Sequence, residues 1–240
     1  MTLFFTSIGA DISNNDVYCS EDLIYNISEH LYCIESAEHV NLTNVTGDDV
    51  CITALCKEEN LEKTNQEIIQ VLKDCAEDYG DLSGVKNEKN EAGEGVSYAC
   101  IPIQDGYIPD CIVMHFDTYG GESFVYDVAE TVLTAASGMK GVTSISSIND
   151  GETFIPGVGY SGEGTDDPVV LVSMNDLESV GVVASTMIGA ALGCKNTYFV
   201  NYGAGCDVLP GSVIFSVSLY LNGNIIDFSI PFENRAKILK

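Results

Sequence analysis

Two stretches, "IVMHFDTYGGESFVYDVAETVLTAASGMKGVTSIS" (Ile112–Ser146) and "VVLVSMNDLESVGVVASTMIGAALGCKNTYFVN" (Val169–Asn201), share one order of parts. Each opens on an apolar strand-like run and turns. Each then places Glu-Ser near the start of a helical pattern, continues through small residues, and returns by Gly and Lys to a second strand-like run. The pattern is either an internal duplication or two uses of a common strand–helix–strand unit. Both readings give an α/β or α+β fold: a mixed β-sheet with helices packed on it, and two similar strand–helix–strand units in the C-terminal part.

Working outward, Leu3–Ile8 reads as a first strand, and Ser20 as the N-cap of a helix reaching about Ile34. Val40–Val45 and Val50–Leu55 are short strands around "TGDD", a hairpin signal. Glu58–Tyr79 carries an apolar stripe at helical spacing. "DLSGVKNEKNEAGEG" (Asp81–Gly95) is polar and glycine-rich, so it reads as a linker or mobile loop. The chain thus divides into an N-terminal α+β part (1–80), that linker (81–95) and a main α/β domain (96–240). Val96–Ile103 and Cys111–Asp117 open the main part, and "NGN" between Val213–Leu221 and Ile225–Ile230 marks a closing hairpin.

The chain has 240 residues, 36 of them acidic against 10 basic, for a formal net charge of −26. Only Lys140 and Lys195 are basic between Lys89 and Arg235. Binding to nucleic acid, or to an anionic membrane, needs Lys and Arg, so no nucleic-acid or membrane partner is expected. A cationic ligand or a basic protein partner would be attracted, and the same charge also serves plain solubility. Apolar residues make up 45% and charged residues only 19%. That balance fits either a homo-oligomer or an uncharged polar surface. Met1–Ala10 lacks the basic start and apolar core of a signal peptide, and the longest apolar run, Val180–Gly193, is too short to span a bilayer. Nine cysteines occur with no CxxC pair and no zinc or iron–sulfur spacing. A cytoplasmic protein with no metal set is expected, and the sequence names no cofactor.

The helical run after Asp176 carries no charge from Ser179 to Cys194, so burial on all sides is expected. Gly181, Ser185 and Gly189 make a thin face for close approach, by the protein's own sheet or by a second subunit.

Two places carry candidate chemistry. "GVGYSGEGTDDPVVLVS" (Gly157–Ser173) is no nucleophile elbow, P-loop or EF-hand. It is a glycine-permitted bend presenting Ser161, Glu163, Thr165, Asp166 and Asp167, able to position a polar ligand, act as a base or hold a cation. In "VMHFDTYGGES", His115 and Asp117 point to one face of a strand, a workable acid–base pair. Gly120 and Gly121 then form a flexible turn. Each place also reads as ordinary structure, a solvated loop and a hydrogen-bonded core histidine. Cys206, in "NYGAGCDVLPG", has no basic neighbour to activate it.

The combination "CIVMHFDT…AETVLTAASGMKG…GYSGEGTDDPVVLVS" resembles part of the adenosylcobinamide amidohydrolase family of archaea and some bacteria. Asp117, Thr134–Ala136 and Gly164–Asp166 carry the likeness, which covers roughly residues 108–190. It implies hydrolysis of an amide in a corrinoid-like or other polar small molecule.

Two functions remain. One is a hydrolase-like enzyme in which His115, Asp117, Glu163 and Asp166 are catalytic, while Gly120, Gly121, Ser161, Thr165 and Asp167 bind substrate. The other is a non-catalytic, self-associating acidic assembly or accessory protein. The first requires the 115–122 and 159–167 segments to meet at one pocket.

Overall fold

The computed structural model describes residues 2–103, 106, 109–118, 122–148, 151–162, 165–202 and 211–229. The chain order is β1 (Leu3–Asp11), α1 (Glu21–His30), β2 (Ala37–Thr46), β3 (Asp49–Lys57), α2 (Leu61–Cys75), β4 (Ser97–Ile103), β5 (Asp110–Thr118), α3 (Glu122–Ala136) and β6 (Val142–Ile145). It continues with β7 (Thr153–Ile155), β8 (Gly159–Ser161), β9 (Val169–Met174), α4 (Leu177–Leu192), β10 (Thr197–Phe199), β11 (Val213–Leu221) and β12 (Asn224–Asp227).

The strands form two main sheets. The first has the order β2-β3-β1-β4, with every neighbour antiparallel. The second has the order β10-β11-β5-β9-β6, with β12 beside β11. It is mixed because β10 runs parallel to β11. Setting β10 and β12 aside, the second sheet reads β6-β9-β5-β11. Its strands and helices then repeat the first half in order: β1-α1-β2-β3-α2-β4 against β5-α3-β6-β9-α4-β11. Both are the β-α-β-β-α-β arrangement known as ferredoxin-like. The two alike strand–helix–strand units of the sequence are therefore halves of one repeat, and the N-terminal part is a second copy of the whole. The sequence division at 81–95 does not coincide with a sheet boundary. β4 pairs with β1, so the first sheet extends to Ile103. Nor does Gly80–Gly84 hang free: it forms a short 3-10 turn that buries Leu82 and Gly84.

The alternation of each strand explains the layers. In β1, Ile8 and Ala10 face α1 and α2, where Leu23, Ile27, Ile68 and Leu72 complete a core. In β5, Ile112, Met114 and Phe116 face α3 and α4 and meet Val128, Val132, Val183 and Met187. The opposite faces of the two sheets meet each other. Phe5, Leu55 and Ile101 of the first pack on Val113, Leu171 and Tyr220 of the second, with Phe5 edge-on to Tyr220 at 4.9 Å. The result is four layers, helices–sheet–sheet–helices.

α1 begins as the sequence indicates. Ser20 caps it by accepting from the Leu23 amide, and Glu21 and Asp22 suit the positive end of the helix. α4 does not follow expectation. Its buried side is Val180, Val183, Ala184, Met187, Ile188 and Ala191. Gly181, Ser185 and Gly189 face outward, as do Val182 and Leu192. The thin face therefore does not seat on the protein's own sheet, and this apolar helix is only half covered. A lack of charge marks apolar character, but it does not say which side meets the core.

The β2–β3 turn fixes the geometry used below. Thr46 pairs with Asp49, leaving Gly47 and Asp48 as a two-residue loop. Gly47 has φ +60°, as the first position of a type II′ turn requires. A Cβ on Gly47 would lie 1.7 Å from Asp117 Oδ2 of the second sheet, so the hairpin tip and Asp117 share one space. Gly47→Ala is expected to destabilise by roughly 1–3 kcal/mol through backbone strain, plus the cost of that clash. Gly138→Ala is the control, with φ +74° and nothing within 4 Å of an added Cβ. Urea unfolding should show the larger loss for Gly47→Ala; equal losses would contradict the close approach.

Candidate metal centre

The layer between the sheets changes chemistry along its length. At one end it is hydrocarbon. In the middle it is hydroxyl and amide: Ser7 bonds Thr53 at 2.7 Å, Asn44 Nδ2 donates to Ser216 Oγ at 2.9 Å, and Thr46 and Ser216 share a bond of 2.7 Å. At the far end it is carboxylate. β1 runs inward-facing from Phe5 through Ser7 and Gly9 to Asp11. β3 begins on Asp49, directly opposite Asp11. β5 runs from Val113 through His115 to Asp117. Two residues beyond the pair His115–Val169, the register of β5 with β9 reaches Asp117 and Asp167. Each half thus contributes an Asp at the end of its first strand and an Asp-Asp pair at the start of its third, Asp48-Asp49 and Asp166-Asp167. The repeat of fold is also a repeat of acids.

These groups line a cavity of about 300 Å³, joined by Asp16, Asp81, Glu94 and Thr118. Among the described residues that line it, nine of ten are acidic and none is basic. The ion pairs found among the described residues, Lys57–Glu38, Lys63–Glu67, Lys89–Glu152 and Lys140–Asp176, involve none of them. Two triads come together: Asp48, Asp49 and Asp117, and Asp49, Asp81 and Asp167. Within each, one oxygen per residue lies within 4.8 Å of the others. Asp49, Asp117 and Asp167 are only 2%, 4% and 6% exposed. Asp49 Oδ1 and Asp117 Oδ2 are buried without a hydrogen-bond partner.

Other contacts hold the cavity in shape. The Asp11 amide donates to Asp81 Oδ2 at 2.9 Å, tying β1 to the 3-10 turn. The Thr118 amide donates to Asp167 Oδ1 and the Thr118 hydroxyl to the Asp166 carbonyl, both at 3.3 Å. Thr165 Oγ1 accepts from the Asp167 amide at 3.1 Å, and the Tyr126 hydroxyl donates to the Thr165 carbonyl at 2.5 Å.

Two unit charges about 4.8 Å apart repel by roughly 3 kcal/mol at an effective dielectric constant near 20. Three buried carboxylates with no cation cannot all stay ionised. Burial, then the neighbouring aspartates, push Asp117 up to about 8. Burial and Asp11 raise Asp48 to about 7, and burial raises Asp81 to about 7 against a lowering bond from the Asp11 amide. Asp49 and Asp167 stand well above the usual carboxylate range, from burial first and the surrounding acids second. Proton or metal ion, something positive must enter. An all-oxygen donor set suits Mg²⁺, Mn²⁺ or Ca²⁺ rather than a soft metal.

The sequence-derived candidates divide. Asp117, Asp166 and Asp167 do converge on the cavity, so parts of the two segments meet. His115 does not line it. It is fully buried, Nδ1 bonds Thr46 Oγ1 at 3.1 Å, and burial drives the imidazole down to about 3, keeping it neutral. Its Nε2 and Ser97 Oγ, both without partners, face Gly9, where a Cβ would lie 2.8 and 2.3 Å from them. Strand alternation correctly put His115 on the side of Asp117, but that side is interior until the strand end. Ser161 donates to the Val96 carbonyl at 2.5 Å and borders a separate narrow cavity with Thr165. Gly120, Gly121, Glu163 and Cys206 lie outside the described residues. Sequence reasoning missed Asp11, Asp16, Asp48, Asp49, Asp81 and Glu94, and with them two groups of carboxylates that could hold a metal ion. One signal was present: an Asp-Asp pair stands before a strand twice, in "TGDDV" and "GTDDPV".

A carboxyl whose pKa is higher folded than unfolded binds more protons folded, so raising the pH withdraws stability. His115 has the opposite sign, its contribution growing with pH, but its effect ends near the unfolded value of about 6.5. Between about pH 6.5 and 8, below the range where thiols ionise, the metal-free protein should therefore lose thermal stability as pH rises. Asp117→Asn should flatten that slope. A flat or rising wild-type profile, followed by circular dichroism, would refute the electrostatic description.

A protein of Methanothermobacter thermautotrophicus, described as uncharacterized, is 49% identical over 243 residues, covering 100% of this chain and 99% of its own. One of Methanocaldococcus jannaschii, likewise described, is 37% identical over 230 residues and 95% of each chain. A solved microcompartment protein from Desulfitobacterium hafniense aligns over 87% of this chain and 94% of its own, with 11% identity and a TM-score of 0.23. No helix among the described residues is long and apolar enough to cross a membrane. The family described as "Uncharacterised conserved protein UCP005278" matches residues 4–236, and the chain belongs to it.

Proposed function

We propose that this protein is a divalent-cation-dependent hydrolase acting on a polar small molecule, with the carboxylate cavity as its centre. The observation that carries the reading is the pair of buried, partnerless oxygens, Asp49 Oδ1 and Asp117 Oδ2, in triads spanning no more than 4.8 Å. A protein interior does not hold such atoms without compensation. Asp48, Asp49 and Asp117 would hold one cation; Asp49, Asp81 and Asp167 a second, with Asp49 common to both. A bound divalent cation polarises a carbonyl and lowers the pKa of water.

Asp11 and Asp166 line the same cavity outside the triads and are placed to take a proton. In amide hydrolysis the water oxygen bonds the carbonyl carbon and its proton passes to such a carboxylate. The proton then reaches the leaving nitrogen as the C–N bond breaks. His115, neutral and enclosed, has no part in this scheme. The likeness of residues 108–190 to adenosylcobinamide amidohydrolases supports an amide as the bond cut. A second reading, a self-associating accessory protein, is favoured by the outward apolar residues of α4; it requires a stable oligomer and no cation in the cavity.

Isothermal titration calorimetry with Mn²⁺ tests the proposal. Wild type is expected to bind two ions, and Asp49→Asn to weaken binding at least tenfold, about 1.4 kcal/mol, while remaining folded. The variant should be no less stable than metal-free wild type near pH 8, because a repelling charge has gone. Absence of Mn²⁺ and Mg²⁺ binding to folded wild type, or unchanged binding in Asp49→Asn, would reject the proposal.

A further inference from the structure

The acids of the cavity outnumber what two divalent cations can neutralise, and the excess is not spread evenly. The five residues of the two triads form the floor: Asp49, Asp117 and Asp167 are buried, and Asp48 and Asp81 half-buried. Two cations bring four positive charges to these five carboxylates, which leaves the floor near neutrality. The other four acids are Asp11, Asp16, Glu94 and Asp166. Asp11 and Asp166 are half-buried, while Asp16 and Glu94 are exposed at the rim. Asp16 comes from the β1–α1 connection and Glu94 from the segment before β4, so different parts of the chain bring them to one opening. Among the described residues, no Lys, Arg or His lines the cavity.

From this arrangement we infer that the ligand is cationic: a small aliphatic molecule whose neutral, reacting part sits at the metal ions and whose protonated amine is held by Asp16 and Glu94. The inference rests on the cation reading above and adds the charge of the substrate. A negatively charged ligand would meet the rim carboxylates before it met a metal ion, and none of the lining groups offers it a counter-charge. A protonated amine meets two acids that the metal ions do not need. Near-neutral and cationic functions are thus stacked by depth, with metal at the floor and ammonium at the mouth. The amide of a diamine, with one nitrogen acylated and the other protonated, satisfies both levels.

The test uses N-acetyl-1,4-diaminobutane, a diamine amide with one neutral acylated nitrogen and one protonated amine, and succinate, a dianion with a four-carbon chain. Each is titrated calorimetrically into full-length protein, Mn²⁺-loaded and metal-free, alongside the double variant Asp16→Asn/Glu94→Gln. The acetylated diamine should bind Mn²⁺-loaded wild type at least tenfold more tightly than succinate does. The double variant should lose that preference yet bind Mn²⁺ as wild type does, since neither residue belongs to a triad and both are exposed. Equal or tighter binding of succinate, or a preference that survives in the double variant, would overturn the inference while leaving the metal centre intact. Binding of the acetylated diamine that Mn²⁺ displaces would show amine at the floor and overturn the division by depth. Failure of Mn²⁺ to bind wild type would instead overturn the parent reading.

Discussion

Mutual repulsion among Asp49, Asp117 and Asp167, held together between two sheets, is the constraint on which the rest of the structure turns. Each is more than nine-tenths buried, and no basic residue among those described lines their cavity. Isolated buried carboxylates cost several kcal/mol apiece when ionised. The fold tolerates them because the layer they occupy is otherwise strongly cohesive. Phe5, Leu55, Ile101 and Tyr220 close its other end, and the hydroxyl and amide network around Ser216 stitches the middle. Hydrocarbon, hydroxyl and carboxylate follow one another along the same strands. That gradient converts folding energy into a cavity that demands a positive charge.

The duplicated architecture explains why the acids meet. Two β-α-β-β-α-β halves pack face to face, so the ends of β1 and β3 oppose those of β5 and β9. An Asp at the end of the first strand and an Asp-Asp pair before the third appear in each half. Placing both sets at the same end of the layer makes one site from two copies. The halves are not identical there: Asp81, from the 3-10 turn after α2, belongs to the N-terminal half, and Thr118 follows Asp117 where β1 has already ended. Gly47 is the hinge point of this convergence, since any side chain there would displace the Asp117 carboxylate.

Much of the scaffold was legible in the sequence because it depends on local rules. Short apolar runs bounded by turn residues give the strands β1, β5, β9 and β11, and Ser20 and Asp176 announce α1 and α4 as caps. The strand–helix–strand likeness was visible too. What failed was long-range. "TGDD" reads as a turn whether or not its aspartates face others far along the chain. The polar 81–95 segment looks like a linker by composition, yet Asp81 and Leu82 pack inward. His115 shares the face of Asp117, but periodicity cannot tell at which residue an inward face opens into a cavity. In α4 the absence of charge suggested full enclosure, whereas only one side of the helix meets the core.

Diffraction from a crystal of the protein grown with Mn²⁺, recorded for anomalous scattering at the manganese edge, measures the central claim most directly. Two peaks are expected between the sheets, one within coordinating distance of Asp48, Asp49 and Asp117 and one of Asp49, Asp81 and Asp167. Manganese found only at surface carboxylates, with the inner aspartates bonded to one another through protons or to water, would contradict the account.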